Sequence, residues 1–265
     1  VAAGHGKFGS EVSVAAGGTF KMDPLEQFAL HPVLGPIGRS VNFTQANLTM
    51  AVGALLVMAL LVYGSRPKAT VPGRWQSLAE MLYQFVHSMA IDQIGIEGRA
   101  FFPFIFTLFT FVLMGNLIGL IPFMFTYTSH IAITGAMALF IITMVTIVGL
   151  RHHGLHFFSY FAPPGAPAAL MPLIVLIEIV SYLSRPVSLS MRLFANMMAG
   201  HMILAVFASF AVVLGSLGLV GLVGAVVPFA VNIPLIGFEL LVACLQAYVF
   251  AILTCIYLHD AVHLH

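Results

Sequence analysis

The chain has 265 residues, of which 60% are hydrophobic and 7% charged, and its net charge is +1. Soluble domains carry roughly a quarter charged residues, and a chain of this size cannot hide so much apolar surface beneath so few charges, so a water-soluble protein is excluded. A net charge this close to zero provides no basic field for nucleic acid and none to steer an acidic partner.

The opening VAAGHGKFGSEVSVAAGGTF is small and polar and lacks the apolar core of a secretory signal. Residues 1–24 are expected to form a flexible tail on the outer side, and Val1 in place of an initiator methionine suggests processing. Residues 25–265 are expected to form a single membrane domain. Residues 46–63 are the first stretch to approach the roughly 20 apolar residues that a spanning helix needs. The following GSRPKATVPGRW, with Arg66, Lys68 and Arg74, is placed inside by the positive-inside rule, which puts the N-terminus outside. Residues 75–94 set Leu78, Met81, Leu82, Phe85 and Met89 against Glu80, Gln84, His87 and Asp92 at helical spacing, the pattern of an amphipathic interfacial helix rather than a span. Residues 101–126 and 131–150 are long enough to cross, with the short polar YTSH between them. Arg151, His152 and His153 return the chain to the inside.

The proline-broken HFFSYFAPPGAPAAL then leads into an apolar run over 171–214, a glycine-rich SLGLVGLVGAVVP and a final run over 228–258. As helices these two runs would be roughly 66 and 45 Å long, against a hydrocarbon core of about 30 Å. They must tilt steeply, bend, or lie partly in the membrane plane. Pro186 could split the first, but no hydrophilic loop is available to serve the break, so one long helix is the expectation. The predicted fold is therefore an all-α integral membrane protein. It has about five membrane helices plus an amphipathic interfacial helix, and the last two spans are long, steeply tilted and joined as an antiparallel hairpin over 171–258. The sequence shows no internal repeat of the kind that underlies many transporters.

Charged residues are sparse in this hairpin, and ionisable groups within spans are functional candidates by default. Glu178, Arg185 and Arg192 recur every seven residues, with Ser181, Ser188 and Asn196 at the intervening helical steps, which draws a polar stripe along one face. Asn232, Glu239 and Gln246 repeat the seven-residue spacing on the last helix. Facing stripes would make an aqueous or hydrogen-bonded lane. His201 falls on a different face and depth from Arg192, and antiparallel packing brings it level with Glu239. Imidazole and a buried carboxylate can share a proton, so the pair is either a relay or a structural hydrogen bond. Arg192 stays protonated at any physiological pH and cannot relay. It is either a fixed charge that holds a partner carboxylate ionised and blocks a leak, or half of a bracing ion pair with Glu178. Arg185 reads as an interfacial or bracing charge.

The remaining candidates are weaker. His152, His153 and His156, and His259, Asp260, His263 and His265, lack cysteine partners and a defined ligand pair, so no metal or other cofactor is expected. Cys244 and Cys255 read as fillers within one apolar segment. No nucleotide-binding or nucleophile motif appears, and an intramembrane hydrolase built on His201 and Glu239 would lack a nucleophile.

Three stretches resemble the a subunit of F-type ATP synthases: SRPVSLSMRLFANMMAGH at 184–201, ELLVACLQAYVFAILTCIYL at 239–258 and FTFVLMGNLIGLIPF at 109–123. Histidine at 201 with glutamate at 239, the reverse of many bacterial members, resembles the alphaproteobacterial and mitochondrial type. The resemblance implies a non-catalytic, proton-conducting stator subunit with two offset half-channels beside a rotating ring of c subunits, held in the wider complex with b-type peripheral stalk subunits. It implies an energy-transducing membrane, bacterial inner or mitochondrial inner. Arg192 would face the ring. Glu239, His201, Gln246 and Asn196 would line the outer path, and Glu178 and Ser188 the inner one. Asn116 is a candidate outer entrance, although Gly119 stands where many members carry an acidic residue. The reading from another class is a proton-coupled secondary transporter, which would need a solute site between broken helices that the sequence does not offer.

Overall fold

The structure is a computed structural model, and it describes residues 12–13, 19–20, 44–64, 73–121, 126–154, 157 and 170–263. Six α-helices account for almost all of them: α1 (Gln45–Gly64), α2 (Arg74–Ile94), α3 (Gly98–Gly119), α4 (Ile131–His153), α5 (Met171–Gly215) and α6 (Leu219–Val262). A single 3-10 turn, Tyr127–Ser129, precedes α4. Val12–Ser13 pairs antiparallel with Thr19–Phe20, and the rest of the expected N-terminal tail lies outside the described residues, as do Arg66 and Lys68.

Five helices are long and apolar enough to cross a membrane, and α2 is not among them, as its mixed faces predict. The chain is thus an all-α multi-pass membrane protein. Its core is the seam where α3 and α6 meet α2, α4 and the middle of α5, filled by Ile105, Val112, Ile141, Leu193, Met197 and Phe250. In contrast α1 is apolar on all sides and leaves Leu55, Met58 and Tyr63 exposed, the composition of a helix facing lipid.

Two expected boundaries move. α3 ends at Gly119 instead of running on to residue 126. Its last carbonyls are taken up by tight three-residue bonds, Leu120 N–H to Leu117 and Ile121 N–H to Ile118, and Pro122 disfavours helix in the residue before it. The glycine-rich stretch expected to join the long helices is itself helical. The turn shrinks to residues 216–218, with Gly218 at φ 88°, a conformation that a side chain would oppose. In hydrocarbon every backbone group needs an internal partner, so ten apolar residues adopt helix even when glycines weaken the propensity. α5 and α6 are consequently 45 and 44 residues long, each about 67 Å at 1.5 Å per residue. Pro186 lies within α5, and Pro228 and Pro234 within α6, without ending either helix.

The 3-10 turn is wedged against the end of α3. A Cβ at Gly115 would overlap the Tyr127 ring, and one at Gly119 would overlap Thr126. Tyr127 is fully buried and its hydroxyl donates to the Phe111 carbonyl at 2.8 Å. Gly115→Val should eject this ring and cost about 1–3 kcal/mol, the usual penalty for forcing extra methyls into a packed site. The midpoint of thermal unfolding of the purified protein in detergent measures it, and an unchanged midpoint would contradict the packing.

Candidate functional site: the polar seam between the two long helices

The short turn makes α5 and α6 antiparallel neighbours, and they share the most extensive helix–helix contact of the fold. Three polar bridges follow one another along it. His201 Nδ1 lies 3.4 Å from Glu239 Oε1, Asn196 Nδ2 donates to Gln246 Oε1 at 2.9 Å, and Arg185 Nη1 donates to Asp260 Oδ2 at 3.2 Å. As the residue number falls along α5 it rises along α6, which is the register of an antiparallel pair. The pairing of His201 with Glu239 expected from packing is thus present, at ion-pair rather than hydrogen-bond distance.

The two stripes differ in depth. Glu239 (4% exposed) and Gln246 (3%) are buried, and Asn232 is half-buried. On α5 Arg192, Ser188 and Asn196 are exposed, while Glu178 is half-buried. Glu178 and Arg192 do not pair: fourteen residues separate them, about 21 Å along a helix. Among the described residues Arg192 has no hydrogen-bonding or ion-pair partner, and Val187 and Met191 on the same stretch of α5 are exposed apolar groups. Among the described residues no hydrogen bond or ion pair joins Glu178 or Ser188 to the outer group.

Asn116 is fully buried at the far end of α3, where Nδ2 donates to the carbonyl of Ala243, one helical turn beyond Glu239. It therefore sits inside the bundle against α6. Several buried polar atoms here find no hydrogen-bond partner among the described residues: Asn116 Oδ1, Asn232 Oδ1, Gln246 Nε2 and both Glu239 carboxylate oxygens. Such groups cost roughly 1–3 kcal/mol each when left unsatisfied, so this seam favours hydrogen-bond partners from water or a neighbouring molecule.

Sequence reasoning passed over one feature and left another coarse. Thr126, just before the 3-10 turn, places Oγ1 3.0 Å from His201 Nε2. The sequence places Thr126 at the end of the apolar run 101–126, next to the polar YTSH, and its polarity there was the only available signal. Arg185 is also better resolved. Besides Asp260 it lies over the rings of Tyr182 (5.5 Å) and Tyr257 (5.1 Å), and the Tyr182 hydroxyl is 2.6 Å from Thr146 on α4. This clasp ties α4, α5 and α6 together at the end away from the turn, where His153 Nε2 also meets the Val262 carbonyl. Because the pair is partly solvent-exposed, a double-mutant cycle of Arg185→Leu and Asp260→Leu should give a coupling of about 1 kcal/mol or less. Detergent unfolding midpoints measure it, and strictly additive losses would show that the bridge contributes nothing.

No group of three or more potential metal ligands occurs among the described residues. The class that fold and site define is a helical multi-pass membrane protein whose last two spans enclose a seam of ionisable and amide side chains.

The family description ATP synthase A chain matches residues 47–259, and the chain belongs to that family. ATP synthase subunit a of Granulibacter bethesdensis is 64% identical over 245 residues, covering 92% of this chain and 98% of that protein. The subunits a of Gluconacetobacter diazotrophicus (59% over 249 residues; 94% and 99%) and Acidiphilium cryptum (55% over 245 residues; 92% and 98%) are similar along nearly the whole length. These relatives are alphaproteobacterial, the type that the order of His201 and Glu239 suggested. The chain is accordingly a membrane-sector subunit of ATP synthase in an energy-transducing membrane.

Proposed function

We propose that this chain is the non-catalytic, proton-conducting stator of the membrane sector, and that it forms two offset half-channels against a ring of c subunits. Glu239, His201, Gln246 and Asn196 line the outer path, with Asn116 as a candidate outer entrance. Glu178 and Ser188 line the inner one. Arg192 faces the ring between them as a fixed positive charge. Residues 171–258 are the proton-path hairpin, and b-type stalk subunits hold it against rotation.

The observation that carries this reading is Arg192. A guanidinium exposed near the middle of a membrane helix, among exposed apolar side chains, is costly unless a complementary charge reaches it from outside the chain. A carboxylate on a neighbouring subunit meets that need. The unsatisfied polar atoms around Glu239 and Gln246 support a hydrated outer path, since water would supply their missing bonds. The continuity of α5 and α6 argues against a solute transporter, whose sites form at broken helices.

Side-specific labelling tests the arrangement. In a complex with Cys244 and Cys255 replaced by serine, single cysteines at positions 178 and 246 should be modified by a small membrane-impermeant thiol reagent from opposite sides of the vesicle. Each modification should block ATP synthesis, and labelling of both from one side would defeat two offset paths.

A further inference from the structure

We infer that Thr126 is a positioning residue of the outer path, holding the His201 imidazole in place from outside the hairpin. The inference rests on the proposed His201–Glu239 relay and adds a member to it from outside the hairpin. His201 is held at both ring nitrogens: Nδ1 faces Glu239 Oε1 at 3.4 Å and Nε2 faces Thr126 Oγ1 at 3.0 Å.

Thr126 is itself fixed. It is buried, and its carbonyl accepts from the Ser129 hydroxyl at 2.6 Å and from the Ser129 N–H at 3.2 Å. The next residue, Tyr127, is pinned to α3 through the Phe111 carbonyl. A Cβ on Gly119 would fall on Thr126 Oγ1 and Cγ2, so the space that a side chain at 119 would occupy is filled by this threonine. The absence of a side chain at 119 and the seat of the hydroxyl are two sides of one packing arrangement.

A hydroxyl is both donor and acceptor, which an ionised carboxylate or an aliphatic group at the same place is not. With the imidazole neutral, the threonine O–H donates to Nε2, leaves the ring proton on Nδ1 and aims it at Glu239. With the imidazole doubly protonated, the hydroxyl turns and accepts from Nε2–H. His201 therefore keeps one orientation through both states, and no bond to Thr126 has to form or break covalently.

The test is proton-gradient-driven ATP synthesis by the whole complex in vesicles, with the outer pH varied. Thr126→Val, nearly isosteric, should lower the rate about tenfold when outer entry is limiting, the loss expected for one hydrogen bond, and should move the outer-pH profile. Subunit content should be unchanged, and Thr126→Ser should restore the rate to within about twofold. Should Thr126→Val fail to assemble, Thr126→Ala removes the hydroxyl without added bulk and decides the matter. Wild-type synthesis by the hydroxyl-free variant, or equal impairment in the serine variant, overturns the inference. Glu239→Gln run in parallel separates the two levels. If it is impaired while the hydroxyl-free variant is normal, only the role of Thr126 falls; if Glu239→Gln is normal, the relay itself falls.

Discussion

Arg192→Ala in the assembled complex should abolish ATP synthesis driven by an imposed proton gradient, a loss of at least about a hundredfold, while the complex still assembles. The side chain is exposed on α5 and has no hydrogen-bonding or ion-pair partner among the described residues, so its removal breaks no internal bridge. What disappears is the charge that keeps a passing carboxylate ionised. Without it a neutral ring site can slip past the stator, and proton flow no longer requires a full rotation. The expected signature is therefore a pair of results: synthesis is lost, and passive proton conduction persists or rises. Arg192→Lys should restore only part of the coupling, because an ammonium in an apolar setting can lose its proton whereas a guanidinium cannot. Unimpaired synthesis by the alanine variant, measured in vesicles, would remove the central claim. Loss of both synthesis and conduction would assign Arg192 to the path rather than to the barrier.

Most of the fold was legible because the bilayer restricts the choices. Twenty-residue apolar runs in α1 and α4, and mixed faces in α2, translate almost directly into spanning and interfacial helices. The misread places are those where local propensity and environment disagree. Glycines near 221 and 224 look like a loop by propensity, yet apolar surroundings make helix the only backbone state with its polar groups satisfied. The apolar run that continues past Pro122 hid the early end of α3, although the proline itself is a stop signal. For the site, seven-residue spacing could place Glu239 and Gln246 on one stripe, since spacing along a helix determines which residues share a face. The partners were harder to read, because they depend on register between helices. The nearness of His201 to Glu239 followed from the antiparallel turn, but the Arg185–Asp260 clasp lies far enough from it that small differences in turn length decide the match. Thr126 belongs to no stripe at all. Its contact with His201 depends on how the 3-10 turn seats against Gly115 and Gly119, and no helical periodicity encodes that.

Glu239→Gln should slow proton entry from the outer side by about tenfold to a hundredfold with assembly intact, since a positioned acid–base group contributes on that scale or above. Glutamine keeps the volume and a polar end but cannot take up and release a proton, so the substitution separates chemistry from packing. Glu239 is buried with Oε1 close to His201 Nδ1, and its two oxygens have no hydrogen-bond partner among the described residues. A carboxylate there as a mere brace would be a poor choice, because a bracing group should be satisfied. If the pair is a relay, its competence lies in having one imidazole and one carboxylate in contact, not in which helix carries which. His201→Glu with Glu239→His should then conduct far better than either single substitution, each of which leaves two like groups facing each other. Gly200 bears on this swap, since a Cβ at position 200 would come within 2.9 Å of Glu239 Oε1 and so the glycine leaves room for the group at 239. Passive proton conduction through the membrane sector, measured in vesicles for the two singles and the double, is the decisive comparison. Normal flux in Glu239→Gln would reject the relay, and a double no better than the singles would show that the surroundings of each helix, rather than the pair, set the proton path.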